Sequence, residues 1–103
     1  MKDLTNQQWQ EQIENDANAV ILDVRTDEEV AEGKIPGALQ IDIQNPPKFM
    51  EAVQELDKSK NYYVYCKAGG RSVQACMVLN SVGIETIYNL EDGFSQWDGE
   101  VER

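Results

Sequence analysis

The 103-residue sequence contains no histidine and only two cysteines, Cys66 and Cys76. The absence of imidazole excludes Ser-His-Asp and Cys-His catalytic groups and every zinc site that needs a histidine ligand. Two cysteines are too few for a disulfide framework or for a metal site of four thiolates. We therefore expect no metal and no other cofactor, and we expect any role of the cysteines to lie in thiol chemistry.

Basic residues are also scarce, with 9 Lys and Arg against 19 Asp and Glu, which gives a net charge of −10. Nucleic-acid backbones and anionic membrane surfaces are bound through an excess of Lys and Arg, so neither is an expected partner. The sequence has no run of about 18 apolar residues, and residues 1–10 lack the apolar segment of a signal peptide. These absences predict a soluble, cytoplasmic protein.

What is present fits one globular domain over residues 1–103. A chain of 103 residues can build a single core that folds without cross-links. Strand and helix patterns alternate: strands are predicted at 19–24, 38–43, 62–65 and 86–88, helices at 6–15, 27–32, 48–56 and 72–82, and a short helical turn at 94–97. This alternation predicts an α/β domain with a mainly parallel sheet.

Two capping-box patterns mark helix starts. Thr5 with Gln8 and Thr26 with Glu29 have the spacing in which side chain and backbone cap each other. They predict the beginnings of the first two helices. The acidic residues at 28–32 fit a solvated helix face.

The segment 66–72, Cys-Lys-Ala-Gly-Gly-Arg-Ser, joins the strand of highest propensity to the most apolar helix. In open α/β sheets, ligands bind beyond the carboxyl ends of the strands. Gly69 and Gly70 let the backbone curl so that several N–H groups point into one bowl. Lys67, Arg71 and the helix N-terminus add positive charge in an acidic protein, so we predict an anion-binding loop here.

Cys66 lies at the start of this loop, where a helix N-terminus, inward N–H groups and neighbouring cations lower the pKa of a thiol. We therefore expect Cys66 to be a thiolate that needs no histidine to deprotonate it. The alternative is that Cys66 is a small apolar residue at the end of a strand. Cys76 falls on the apolar face of the next helix, with Val73 and Met77, and is expected to be buried and inert.

Four segments match the motifs of one known family in order and spacing. They are Leu22–Arg25 (LDVR), Gly33–Ala38 (GKIPGA), Cys66–Ser72 (CKAGGRS), and Leu90–Phe94 (LEDGF) with Trp97. Through them the sequence resembles the single-domain rhodaneses of the thiosulfate sulfurtransferase family over almost its whole length. Lys34 departs from the family, because it replaces the usual histidine of the Gly-His-Ile-Pro-Gly-Ala motif. That histidine lies outside the catalytic loop, so the replacement leaves the loop assignment intact.

The resemblance implies a single α/β domain with a five-stranded, mainly parallel sheet flanked by helices on both faces, including a first strand near 2–4. It implies that Cys66 is the catalytic nucleophile, which takes a sulfane sulfur from thiosulfate or another persulfide donor and becomes a persulfide. A thiol, cyanide or a protein cysteine would then accept the sulfur.

The rest of the loop would bind the substrate: Lys67, Ala68, Gly69, Gly70, Arg71 and Ser72. By the same resemblance, the backbone amides of 67–71 would cradle the sulfur. The side chains of Lys67 and Arg71 would attract the anionic donor.

Other functions on this scaffold stay open. Phosphatases related to this fold carry five residues between their cysteine and arginine, whereas four separate Cys66 from Arg71, which makes a tighter bowl. A persulfide carrier acting with a protein partner would use the same persulfide. An interaction module would have lost the chemistry, but inactive domains that resemble this family usually lack the cysteine. Asp23 and Arg25, at the end of the second strand, are expected to tie loops together through charge-assisted hydrogen bonds. The alternative for Arg25 is that it lies close enough to influence the substrate.

Overall fold

The computed structural model describes residues 1–103, and strands alternate with helices along the chain. The strands are β1 (Lys2–Leu4), β2 (Ala19–Asp23), β3 (Leu39–Gln40), β4 (Asn61–Tyr65) and β5 (Ile87–Leu90). The helices are α1 (Asn6–Glu14), α2 (Asp27–Glu32), α3 (Pro46–Gln54) and α4 (Gly70–Ser81), followed by one 3₁₀ turn at Phe94–Gln96. None of these helices combines the length and the apolar character needed to span a bilayer.

The five strands form one parallel sheet in the order β1-β5-β4-β2-β3. Its longest ladder joins β2 to β4, from Ala19 opposite Asn61 to Asp23 opposite Tyr65. β3 lies outside β2, whereas β5 and β1 lie on the far side of β4, so the direction of the strand order changes between β2 and β4. The carboxyl ends of strands at such a change form the crevice where α/β proteins bind ligands.

Helices cover both faces of the sheet, because successive side chains of a strand point to opposite sides. Val64 of β4 belongs to a buried cluster that includes Phe49 of α3 and Leu79 of α4. Its neighbour Tyr63 points the other way and meets the ring of Trp9 in α1 edge-on, with the ring centroids 6.0 Å apart. The predicted α/β sheet with helices on both faces is therefore confirmed.

Element boundaries differ from expectation mainly at the edges of the sheet. β1 is present at Lys2–Leu4, as the resemblance implied. β3 covers only Leu39–Gln40 rather than 38–43, although the amides of Ile41 and Ile43 still donate to the carbonyls of Asp23 and Val24. α4 begins at Gly70, one half-turn before its predicted start.

Both predicted capping boxes are present and mark the starts of α1 and α2. In the second, the Glu29 amide donates to Thr26 Oγ1 at 3.3 Å, and the Thr26 amide donates to Glu29 Oε1 at 3.2 Å. The cap therefore fixes the Glu29 carboxylate at the N-terminus of α2. Because α2 follows β2 and α4 follows β4, this carboxylate lies at the same edge of the sheet as the start of α4.

Candidate active site

Cys66 follows directly after β4 and lies at the carboxyl edge of the sheet, beside the change in strand order. Residues 66–69 turn from β4 into α4, whose first residue is Gly70. Cys66 is 1% exposed and belongs to the same buried cluster as Cys76. The structure therefore places the loop where the sequence predicts a ligand site, and it buries the thiol there.

Hydrogen bonds converge on the Cys66 sulfur despite its apolar neighbours. The Gly69 amide donates to Sγ at 3.0 Å. The Sγ–H group donates to Ser72 Oγ at 3.4 Å, and the Ser72 hydroxyl donates to the Gly69 carbonyl at 3.1 Å. When the thiol loses its proton, the same hydroxyl can turn and donate to the thiolate. The arrangement thus suits a sulfur that carries negative charge.

The two cysteines differ in acidity. Burial raises the pKa of the Cys66 thiol, but hydrogen bonds from the Ser72 hydroxyl and from the amides of Ser72, Gly69 and Ala68 lower it, and the balance leaves this pKa below the ordinary value. The direction is the one predicted from the sequence. Burial raises the pKa of Cys76 to about 12. Cys76 is therefore a neutral thiol, as expected for an inert residue of the core.

The peptide groups of the loop are oriented by the segment that follows β5. The Phe94 amide donates to the Cys66 carbonyl at 2.8 Å, and the Ser95 amide donates to the Lys67 carbonyl at 2.9 Å. Since the C=O and N–H of a trans peptide point in opposite directions, the next two amides face away from that segment. Five amides of the loop donate to no backbone carbonyl: those of Lys67, Ala68, Gly70, Arg71 and Ser72. These amides can bind an anion.

Two glycines let this segment lie directly against the loop. Gly69 has φ +98°, and a Cβ there would lie 2.5 Å from the Glu91 carbonyl oxygen. Gly93 has φ +69°, and a Cβ there would collide with the backbone of Lys67. At Gly70 a Cβ would meet nothing, and φ is not positive. The sequence interpretation assigned the curl of the loop to both Gly69 and Gly70, but only Gly69 has a positive φ and no room for a Cβ. It included Gly93 only as part of a family motif and did not predict its contact with the loop.

Arg71 is not an unopposed cation. Its Nη1 and Nη2 atoms donate to Glu29 Oε1 and Oε2 at 2.7 and 2.8 Å, and the two side chains are 23% and 26% exposed. The hydrogen bond from Arg71 is the main reason why the pKa of Glu29 falls to about 2, so this carboxylate is ionised at neutral pH. The expectation that residues 28–32 form a solvated face is therefore wrong at Glu29, which the capping box aims at the loop.

Asp23 and Arg25 form a buried ion pair that ties three segments together. Arg25 Nη2 donates to Asp23 Oδ2 and to the Gly33 carbonyl, each at 2.8 Å. The guanidinium also lies over the Phe94 ring, 4.4 Å from its centroid. The Tyr65 hydroxyl donates to Asp23 Oδ2 at 2.6 Å. The predicted structural role of this pair is confirmed, since it links the end of β2 to the segments at 33 and 94.

A cleft of about 200 Å³ opens beside the loop. It is lined by Arg25, Glu29, Glu32, Lys67, Phe94 and Ser95, whose formal charges cancel. Lys67 is exposed and takes part in no salt bridge. Lys34, where the chain departs from the family motif, pairs with Glu102 at 3.5 Å and does not line this cleft.

Comparison with known proteins agrees with this architecture. A family model described as a rhodanese-like domain matches residues 5–100. A Bacillus subtilis protein named as a candidate sulfurtransferase, YtwF, is 41% identical over 101 residues, which cover 98% of this chain and 94% of that protein. A sulfurtransferase of Allochromatium vinosum is 30% identical over 97 residues, covering 94% of this chain and 88% of the relative.

A solved structure extends the similarity to three dimensions. The crystal structure of a rhodanese-like domain protein from Staphylococcus aureus has a TM-score of 0.84 and 33% identity, and the match covers 99% of this chain and 97% of that one. The names of the relatives support a sulfur-transfer role for an enzyme of this type. Because the family match covers nearly all residues and includes the whole Cys66 loop, the chain belongs to the rhodanese-like domain family.

Proposed function

We propose that the protein is a sulfurtransferase that moves a sulfane sulfur from thiosulfate or another persulfide donor to a thiophilic acceptor through a Cys66 persulfide. The observation that carries this proposal is the polar setting of the Cys66 sulfur, which accepts from the Gly69 amide and contacts the Ser72 hydroxyl, beside amides that have no backbone partner. A thiolate nucleophile without a histidine base depends on such donors.

The reaction has two displacement steps. In the first, the Cys66 thiolate attacks the outer sulfur of thiosulfate, the S–S bond of the donor breaks, sulfite leaves with the bonding pair, and a new S–S bond joins the outer sulfur to Cys66. In the second, a thiolate or cyanide attacks the same outer sulfur, and the bond to Cys66 breaks with release of its thiolate. The cycle consumes no separate oxidant or reductant, because one sulfur passes between two nucleophiles.

The hydrogen-bond donors of the loop serve both sulfurs of the persulfide, and one amide can serve each sulfur at a different stage of the cycle. The Gly69 amide and the Ser72 hydroxyl already contact Sγ. We assign the amides of 67–71 that lack a carbonyl partner to the outer sulfur, which carries the negative charge of the persulfide. Lys67 is exposed and free of salt bridges, so we assign it to attraction of the anionic donor.

Intact-mass measurement tests the persulfide. After exposure to thiosulfate, the wild-type chain should gain one sulfur atom and should lose it again on addition of cyanide, with formation of thiocyanate. Cys66→Ser should gain no sulfur, whereas the matched control Cys76→Ala should behave like the wild type, because Cys76 is a neutral core thiol.

Two results would contradict the proposal. Sulfur uptake by Cys66→Ser would exclude Cys66 as the nucleophile. Hydrolysis of an aryl phosphate by a chain that takes up no sulfur would instead indicate cysteine-based phosphatase chemistry. A persulfide carrier would keep the mass signature but would accept sulfur faster from a protein persulfide than from thiosulfate.

A further inference from the structure

Charge around the candidate site is balanced rather than positive. Arg71 donates two hydrogen bonds to the Glu29 carboxylate, at 2.7 and 2.8 Å. Lys67, which takes part in no salt bridge, lines the same cleft as Glu32. The loop therefore offers an anion its backbone amides and little net side-chain charge.

The balance of side-chain charge at the loop affects the binding of sulfur donors according to the charge of the donor. Thiosulfate is a dianion, whereas the reacting group of an alkyl persulfide or an alkyl thiosulfonate carries one negative charge at most. The electrostatic energy of a donor in a given potential is proportional to its charge, so a carboxylate beside Arg71 opposes a dianion about twice as strongly as a monoanion. The Glu29 side chain is partly buried, which weakens screening by solvent and salt.

We propose that Glu29 is a specificity-determining residue, which acts through Arg71 to make the loop favour sulfane donors of single negative charge, such as alkyl persulfides, over dianionic thiosulfate. This inference rests on the proposed sulfurtransferase function. With an alkyl persulfide anion, the Cys66 thiolate attacks the terminal sulfur, the S–S bond of the donor breaks, and the alkyl thiolate leaves with the bonding pair, so that the terminal sulfur keeps the second negative charge on the new Cys66 persulfide.

The chain offers a variant that removes the charge of Glu29 and little else. Glu29 is the third residue of α2 and the partner of Thr26 in its capping box, a position that glutamine fills equally well. Glu29→Gln therefore keeps the cap and the shape of the side chain while it frees the charge of Arg71. The matched control is Glu28→Gln, which makes the same change in net charge at an exposed neighbour that does not contact Arg71.

Two donors isolate the effect of charge. Thiosulfate and methanethiosulfonate both carry a sulfane sulfur on a sulfonyl group, but the second has a methyl group in place of one charged oxygen. We expect Glu29→Gln to raise kcat/KM by about tenfold for thiosulfate and about threefold for methanethiosulfonate, since the logarithm of the gain scales with donor charge. Glu28→Gln should change both values by less than about twofold.

The rate of alkylation of Cys66 measures the electrostatic potential at its sulfur without any sulfur transfer. Iodoacetate is an anion and iodoacetamide is neutral, so the ratio of their rates reports the electrostatic potential at Sγ. In Glu29→Gln this ratio should rise by about threefold, and in Glu28→Gln it should stay close to the wild-type value. A merely structural role of Glu29 would slow or speed both reagents together.

The dependence of kcat/KM on ionic strength supplies a further test. In the wild type the Glu29 carboxylate neutralises the charge of Arg71, so kcat/KM for thiosulfate should fall only slightly as ionic strength rises. In Glu29→Gln the charge of Arg71 is free, and the fall should be steeper. A steep fall in the wild type, or equal gains for the two donors in Glu29→Gln with an unchanged alkylation ratio, would overturn the inference while sulfur transfer stands. Sulfur uptake from neither donor would overturn the proposed function itself.

Discussion

Cys66 and Cys76 have the same burial but different chemistry. They are 1% and 0% exposed and belong to one buried cluster. Cys66 precedes α4, where loop amides have no carbonyl partner, whereas Cys76 lies inside the helix, where the amides are used by the helical hydrogen bonds. Hydrogen bonds bring the pKa of Cys66 below its ordinary value in spite of burial, and burial raises that of Cys76 to about 12. Hydrogen bonds outweigh the effect of burial on the pKa of Cys66, whereas burial dominates the pKa of Cys76.

The largest expected effect is the difference between the alkylation rates of Cys66 and Cys76, measured in the same native protein. Because the pKa of Cys76 is about 12 and that of Cys66 is lowered from 9.0, their thiolate fractions at pH 7 differ by at least roughly 10³. We expect iodoacetamide to modify Cys66 faster than Cys76 by at least this factor, as read by peptide mass mapping. Similar rates for the two cysteines would mean that the loop donors do not control acidity.

Substitution of the two successive glycines, Gly69 and Gly70, tests whether the left-handed backbone of the loop is needed to present its amide donors to Cys66. Gly69→Ala combines a positive φ with overlap on the Glu91 carbonyl, so it should lower the free energy of unfolding by about 2–4 kcal/mol and abolish sulfur uptake. Gly70→Ala meets open space and should change stability by less than about 0.5 kcal/mol. Denaturant unfolding measures both variants. Equal stability of the two would show that the loop does not need the left-handed residue.

Local signals predicted most of the fold. The capping boxes at Thr5 and Thr26 depend on residues three positions apart, and both helix starts are where the sequence placed them. β1 has only three residues and owes its pairing to β5 at the other end of the chain, so no local pattern indicates it, and it came from the family resemblance. β3 is shorter than predicted, because its regular pairing stops at Gln40, opposite the last residue of β2, and only single hydrogen bonds follow at Ile41 and Ile43.

The candidate site divides in the same way. The placement of Cys66 and the loop amides follows from a strand, a glycine and a helix start that are contiguous in sequence. The pairing of Arg71 with Glu29 joins residues 42 positions apart, and Gly93, which lies against the Lys67 backbone, belongs to a segment beyond β5. Neither contact follows from a local pattern. A signal for the ion pair was present: a capping-box glutamate after β2 and an arginine in the first turn after β4 lie at the same edge of the sheet if β2 and β4 are parallel neighbours.

This ion pair predicts an acid-sensitive contribution to stability at the Cys66 end of α4. The pKa of Glu29 is about 2 in the folded chain against an ordinary 4.5, so its contribution is present above pH 4.5 and is lost as pH falls through 2. We expect the wild type to lose about 1–2 kcal/mol of unfolding free energy over that window relative to Glu29→Gln, after allowance for partial exposure. Glu28→Gln should follow the wild type. Parallel pH curves for wild type and Glu29→Gln would show that the pair adds no stability.

The smallest expected effect concerns the Ser72 hydroxyl, which contacts the Cys66 sulfur. Ser72→Ala removes the Oγ atom that lies 3.4 Å from Cys66 Sγ and 3.1 Å from the Gly69 carbonyl oxygen. The pKa of Cys66 should rise, because one donor to its thiolate is lost. We expect alkylation at pH 7 to slow by about three- to tenfold and stability to fall by about 1 kcal/mol, the usual contribution of one hydrogen bond.

The matched control for this variant is Ser81→Ala, in the last turn of the same helix. The exposed Ser81 hydroxyl donates to the Val78 carbonyl at 2.6 Å and contacts neither cysteine, so its loss should leave the pH profile of Cys66 alkylation unchanged. If Ser72→Ala also left that profile unchanged, the hydroxyl would not be a donor to the thiolate. The amides of Ala68, Gly69 and Ser72 would then account for the whole difference between the two thiols, and the loop backbone alone would make Cys66 reactive.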